Sequence, residues 1–184
     1  MADGLRLDLV EAAEASSDAG LKARVTRVRE TLRADPLGIY RLAMTGGSAE
    51  AGQGLFQSPE VQCIRCHKIW GRGGEVGPDL SKIGSQLDRA TLLESVVFPD
   101  HRLAPGYETV LVTMDDGELQ TGIAISEDAS RLVLRQFDGT KTEIPKARIR
   151  SRERGRSAMP GGLAEVLGSR RLRDLIEYLS SLRE

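Results

Sequence analysis

The five residues Cys63-Ile64-Arg65-Cys66-His67 contain both cysteines of the chain and one of its two histidines. No other feature constrains the fold as strongly, because one short segment must deliver three potential ligand side chains to one place. On a helix, positions i, i+3 and i+4 share a face, so the spacing predicts a turn that presents Cys63, Cys66 and His67 together.

Composition narrows what can surround that turn. The chain has 184 residues, 40% of them hydrophobic and 29% charged, the profile of an ordinary globular protein with room for one good-sized domain or a small domain plus a module. A net charge of −1 argues against a nucleic-acid partner, which a basic excess would mark. No apolar run approaches the ~20 residues that cross a bilayer, so no membrane span is expected. The opening "MADGLRLDLVEAAEAS" scatters charge through what would be the apolar part of a leader, and reads as no signal peptide. Either the protein stays in the cytoplasm or the chain is a piece of a longer exported one.

Periodicity divides the chain into four parts. Residues 1–45 read as a helical extension: Leu21, Val25, Val28 and Leu32 form one stripe behind an N-cap at Asp18, and Asp35-Pro36 restarts a helix. Residues 46–103 hold a helix capped by Ser48, the cysteine segment, the loop "GRGGEVGPDL", and a helix over 88–97 that Pro99 stops. Residues 104–154 change to strand-like runs separated by Asp115-Asp116-Gly117, "SEDAS" and Asp138-Gly139, which predicts five short strands in a small barrel-like module. Residues 155–184 return to helix, with Leu172, Leu175, Ile176, Leu179 and Leu182 on one stripe. The fold class is therefore α+β: a mainly helical core, an inserted small β-barrel-like module and an N-terminal helical extension. In strand pattern the module resembles an SH3-like or Sm-like barrel.

Cys-x-x-Cys-His is the attachment pattern for a c-type haem. Two thiols on one face add to the two vinyl groups of the macrocycle, and the adjacent His67 reaches the iron. With aromatics at only 4%, a large apolar cofactor would also fill core that the chain lacks. Two rivals use the same residues. A zinc site could recruit His101, although neighbours Cys66 and His67 are awkward ligands for one metal. A thioredoxin-like dithiol would need a βαβ pattern, and none is visible.

Beyond the motif, the sequence resembles the class I cytochrome c family. Gly52 and Phe56 in "AGQGLF" match that family's N-terminal helix, Tyr178 in "IEYLSS" its C-terminal helix, and "GPDL" the loop whose proline carbonyl accepts the proximal histidine's Nδ1–H. The resemblance thus assigns Pro78 to orient His67. Met159, in "SAMPGGL" before the final helix, takes the place of the family's axial methionine, with His101 in "FPDHRLAPGY" as its competitor; Met44 and Met114 read as packing residues. The long stretch between His67 and Met159 matches the strand-rich insert, and loop closure grows only logarithmically with length, so the separation is tolerable.

Closest is a bacterial haem-binding-domain family found at the C-terminus of large exported dehydrogenase-like proteins, often after helical repeats. Its pattern appears here as "AEAGQGLF", Cys63–His67, "VGPDL", "FPDHRLAPGYE", "AMPGGL" and "RDLIEYL". The resemblance implies one covalently attached haem c, single-electron transfer with His67 and Met159 as axial ligands, no enzymatic activity of its own, and a redox partner protein or fused dehydrogenase domain. It also implies a periplasmic or otherwise exported location, since c-type haem is attached outside the cytoplasm. The alternative is a haem-based ligand sensor or peroxidase-like domain with a labile or absent sixth ligand. Finally, Lys146, Arg148, Arg150, Arg152, Arg154 and Arg156 alternate, as on one face of a strand. They read as a solvated edge that discourages aggregation, as a docking face for an acidic partner, or, for Arg154 or Arg156, as a contact to a haem propionate.

Overall fold

In the computed structural model, which describes residues 6–183, the chain forms α1 (Arg6–Ala15), α2 (Ala19–Arg33), a 3₁₀ segment (Gly38–Ala43), α3 (Ala49–Gln57), α4 (Cys63–Cys66), β1 (Lys68–Ile69) and β2 (Arg72–Gly73). Next come α5 (Ile83–Gln86), α6 (Arg89–Val97), β3 (Thr109–Met114), β4 (Leu119–Glu127), β5 (Arg131–Arg135), β6 (Lys141–Pro145), β7 (Ile149–Arg154) and α7 (Leu163–Ser181). The mixture of helix and sheet is α+β. These elements gather into two compact units. One comprises the described residues up to Val61, Lys82–Val97 and the chain from Gly162 onward; the other comprises Gln62–Ser81 and Phe98–Gly161.

In the helical unit the caps act as the sequence predicts. Asp18 stays extended and accepts the backbone N–H groups of Gly20 (2.7 Å) and Leu21 (3.1 Å), satisfying two donors that the first turn of α2 leaves unpaired. Ser48 does the same for α3 through Ala51 (3.1 Å). The α2 stripe is only partly used: Val25 is buried, while Leu21 and Val28 stay 40% and 47% exposed. Asp35-Pro36 does not restart an α-helix. Asp35 accepts the Leu37 N–H (3.0 Å), and Gly38 folds so close to the Leu32 carbonyl that a Cβ there would stand 1.9 Å from it. The chain leaves that tight turn as a 3₁₀ segment.

The core of this unit is the crossing of α3 and α7. Leu172, Leu175, Ile176, Leu179 and Leu182 are all buried, as their period requires. At the crossing point Gly52 lets the backbones meet: a Cβ would lie 2.0 Å from the Asp174 carbonyl oxygen. Beside it Phe56 and Tyr178 pack edge to face, ring centroids 5.8 Å apart. α7 begins earlier than its stripe suggests, with a turn from Leu163 that breaks at Gly168 (φ +67°) before the long segment. Arg89 clamps α6 to this helix through both oxygens of Glu177 (2.7 and 2.8 Å) and also donates to the Met44 carbonyl (3.0 Å). Apart from Phe56 and Tyr178, the buried residues of this unit's apolar core are aliphatic, so the scarcity of aromatics is met by leucine, valine, isoleucine and alanine.

The other unit is built on an antiparallel sheet of order β6-β5-β4-β3-β7. Gly117 (φ +89°) and Gly139 (φ +90°) supply the left-handed residues of the two Asp-Gly turns. Alternation puts Val110, Val112, Met114, Leu132, Leu134 and Ile144 into one apolar cluster. Met114 is thus a packing residue. A 3₁₀ turn, Lys146–Arg148, carries the chain from one edge strand to the other. β6 and β7 lie at opposite edges and do not pair, so the sheet is open. Because of that turn, Lys146 and Arg148 leave the strand, and the expected row of six basic residues on one face is broken. Its charges are also partnered within the sheet: Lys146 and Arg152 with Glu127, Arg148 with Asp115 and Asp116. Among the described residues no helix is long and apolar enough to cross a membrane.

Candidate functional site

Cys63, Cys66, His67, Pro78, Arg156, Met159 and His101 all belong to the sheet-containing unit. The cysteine segment is a single helical turn. Gln62 opens it in the left-handed region (φ 53°), and the His67 N–H still bonds the Cys63 carbonyl (2.9 Å). His67 itself is extended (φ −107°, ψ 137°), so it leaves the helix instead of continuing it, and the helical i, i+4 relation of Cys63 to His67 is replaced by a turn into β1. The imidazole is consequently free to rotate away from the helix axis toward the following loop.

That loop is wrapped on the motif by three glycines. A Cβ at Gly74 would sit 1.8 Å from the Arg65 carbonyl oxygen, one at Gly73 would sit 2.2 Å from the His67 carbonyl oxygen, and one at Gly77 would lie 2.6 Å from His67 Cε1 and 2.8 Å from Nδ1. Backbone amides complete the wrap: Gly74 N–H to Ile64 O (2.9 Å), Gly77 N–H to Cys66 O (2.7 Å) and Leu80 N–H to Lys68 O (2.8 Å). "GRGGEVGPDL" is therefore a close-fitting strap, and Gly73, Gly74 and Gly77 stand where side chains cannot fit.

The strap fixes the histidine. Nδ1 of His67 lies 2.9 Å from the Pro78 carbonyl oxygen, which can only accept, so Nδ1 carries the proton and donates it. Burial pushes the imidazole toward its neutral form, against the opposing pull of that carbonyl. A neutral ring protonated at Nδ1 presents a bare lone pair at Nε2, the form that ligates a metal. Farther along, Asp79 accepts the Ser81 N–H (2.8 Å) and Ser81 Oγ accepts the Trp70 N–H (2.7 Å). These bonds pin a two-residue hairpin turn in which Trp70 (φ 49°) and Gly71 (φ 76°) are both left-handed. Trp70 is 55% exposed at its tip. Sequence reasoning passed over Asp79, Ser81 and the hairpin. The Asp-x-Ser spacing was the available signal, since it favours an Asx turn.

Both thiols are half-buried and not bonded to one another. Burial raises Cys63 to about 11. A catalytic or redox dithiol needs its pKa lowered, so the environment of Cys63 disfavours thiolate chemistry. Nor do the zinc ligands gather: among the described residues no three His, Cys, Asp or Glu side chains stand where they could hold one ion. His101 is stacked on Phe98, centroids 4.8 Å apart. A ligand pair of one imidazole and one thioether requires no such cluster.

Met159 comes from a separate segment and is half-buried, its N–H on Ser157 Oγ (3.1 Å). Arg156 is exposed, and its carbonyl accepts the Thr109 hydroxyl. Asp100, which sequence reasoning did not single out, accepts the Ser157 N–H (2.7 Å). The arrangement around Cys63–Pro78 fits a covalently held haem on three counts: two free thiols in one turn, an Nε2 lone pair fixed by its ring partner, and a glycine at position 77 that lets the strap close on the imidazole. No protein-family model matches the chain, and no curated protein matches it.

Proposed function

We propose that this chain is a monohaem c-type cytochrome domain of the class I kind, passing single electrons, with Cys63 and Cys66 as thioether anchors and His67 and Met159 as axial ligands. One observation carries the reading: the 2.9 Å bond from His67 Nδ1–H to the Pro78 carbonyl, made by the residues that the Cys-x-x-Cys-His and "GPDL" patterns single out. When bound, haem supplies an iron that cycles between two oxidation states. The chain's residues do the rest. Pro78 holds the tautomer and ring angle of His67, and its carbonyl raises the basicity of Nε2. The Met159 thioether is a soft donor that favours the reduced state, so the potential is higher than with a second imidazole. With His67 and Met159 both holding the iron, no position would be left on it for a substrate, so the domain would pass electrons without being an enzyme.

The close α3–α7 crossing at Gly52, with Phe56 against Tyr178, supports the cytochrome reading of those helices. In the same reading the five-stranded segment is a rolled, barrel-like insert in the cytochrome core, its edges linked by the Lys146–Arg148 turn. The domain serves a redox partner protein or a fused dehydrogenase in the periplasm or another exported location.

The test is the visible spectrum of protein matured with haem-attachment machinery, ferric and ferrous, for wild type, Met159→Ala and His101→Ala. The expected result is a c-type ferrous spectrum and a ferric methionine–iron charge-transfer band that only Met159→Ala abolishes. A colourless protein overturns the haem reading. A band lost in neither variant, or CO binding to the wild-type ferrous protein, overturns Met159 as a firm ligand and favours a ligand sensor.

A further inference from the structure

We propose that Thr109 is a positioning residue for Met159, so that the five-stranded sheet serves to hold the axial methionine in place. This rests on the haem reading above. The segment that carries Met159 runs from the end of β7 toward "PGG", a composition that by itself would leave the methionine on a flexible tether. It is not left loose. Thr109, the first residue of β3, is fully buried, and its hydroxyl donates to the Arg156 carbonyl. Its own carbonyl accepts the Gly155 N–H (2.9 Å). Gly155 packs so tightly on the threonine that a Cβ would stand 3.1 Å from Thr109 Oγ1.

The next residues are tied in turn. Ser157 N–H reaches Asp100 Oδ1 (2.7 Å), Arg154 reaches the Asp100 carbonyl (3.3 Å), and Ser157 Oγ accepts the Met159 N–H (3.1 Å). Two hydrogen bonds, joined through the backbone of Arg156 and Ser157, therefore link the first residue of β3 to the backbone of Met159.

The residue type at position 109 points the same way. The strand continues Val110-Leu111-Val112, and valine would fill the same volume without a polar atom. A buried hydroxyl is tolerated when it has a partner, and the partner here is the methionine segment. Sheets hold their geometry where loops do not, so a ligand on a loop gains definition from a bond to a strand.

The test uses the full haem-loaded chain with Thr109→Val, Thr109→Ser and Ser157→Ala. Thr109→Val keeps the shape and removes the donor; Thr109→Ser restores it; Ser157→Ala removes the acceptor of the Met159 N–H without touching the sheet core. The readouts are the ferric methionine–iron band, the fraction of ferrous protein open to CO, and hydrogen exchange of the 155–159 amides in the haem-free chain. The expected result is a CO-accessible fraction about fivefold higher for Thr109→Val and Ser157→Ala, the change one ordinary hydrogen bond makes. Amide protection should fall and Thr109→Ser should behave as wild type. Should Thr109→Val unfold, Ser157→Ala decides. An unchanged band, CO access and amide exchange in both variants would overturn the proposal while leaving His67/Met159 ligation standing. If Met159→Ala leaves the wild-type spectrum unchanged, the ligation reading fails first and this proposal with it, and that comparison alone separates the two.

Discussion

Gly52 offers a sharp test because two effects of one methyl group oppose each other there. Alanine is a better helix former than glycine by about 1 kcal/mol, so Gly→Ala within α3 should stabilise wherever there is room. At Gly52 there is none: the new Cβ would meet the Asp174 carbonyl oxygen at 2.0 Å and Tyr178 Cβ at 2.7 Å. The first of these is backbone and cannot rotate away. Restoring ordinary contact requires α3 and α7 to separate by about 1.4 Å, and gaps of that size forfeit much of the dispersion at a packed interface. Overpacking of this kind costs typically about 1–3 kcal/mol and occasionally more, and here it meets unyielding backbone, so the clash outweighs the propensity gain. We expect Gly52→Ala to lose a net ~2 kcal/mol, lowering Tm by about 4–8 °C at this chain length. Gly54, two residues on and on the opposite, exposed side of the same helix, has nothing within 4 Å of its would-be Cβ. Gly54→Ala should gain about 1 kcal/mol, raising Tm by roughly 2–4 °C. Thermal and urea unfolding followed by circular dichroism measure both. If the two variants shift in the same direction, or Gly52→Ala matches wild type, the close crossing is not what the glycine is for.

Three further outcomes follow from single contacts. Gly77→Ala drives a methyl into the His67 ring, so it should break the Pro78 bond and lower haem incorporation and low-spin character, while Gly54→Ala, with open space around it, should leave the spectrum alone; equal spectra for Gly77→Ala and wild type would refute the fit of the strap. The Arg89 guanidinium holds Glu177 below its ordinary 4.5, so this carboxylate stabilises the fold above that value and the contribution disappears as pH falls through the depressed folded-state value. Glu177→Gln should therefore be less stable than wild type at pH 7 and converge with it in acid, and a gap that persists at pH 2–3 would contradict the pairing. Trp70 occupies a left-handed turn position that costs a bulky residue roughly 1–2 kcal/mol. Trp70→Asn should raise the urea midpoint, and a lower midpoint would mean that the exposed indole contributes packing instead.

Much of this was legible in the sequence because it is written in local terms. Asp18 and Ser48 cap the helices they precede, the Leu172–Leu182 stripe is buried along its length, and the five expected strands appear, with Asp-Gly turns joining β3 to β4 and β5 to β6. Pro78 reaches His67, as the resemblance implies. What escaped depends on distance through space. Nothing local says that Gly38 lies against the Leu32 carbonyl, so the expected α-helix after Pro36 became a 3₁₀ segment. The basic alternation over 146–156 looked like a charged face, but the acids that neutralise it, Asp115, Asp116 and Glu127, are supplied by other parts of the sheet. Thr109 and Asp100 hold the Met159 segment, although the quoted "FPDHRLAPGYE" gives no hint that its Asp100, or the threonine just after it, reaches so far along the chain.

The interleaving of the two units has a kinetic consequence. α3 cannot bury its crossing face until α7, the last element, exists. At about 5–20 residues per second, the intervening stretch from Gln57 to Leu163 takes roughly 5–20 s to synthesise. Throughout that interval the face of α3 that carries Gly52 and Phe56 lacks the helix it packs on. Loop closure over such a span is slow compared with local helix formation. The nascent chain therefore passes through an open state in which the apolar face of α3 waits for its partner, the interval in which uncovered hydrophobic surface invites aggregation.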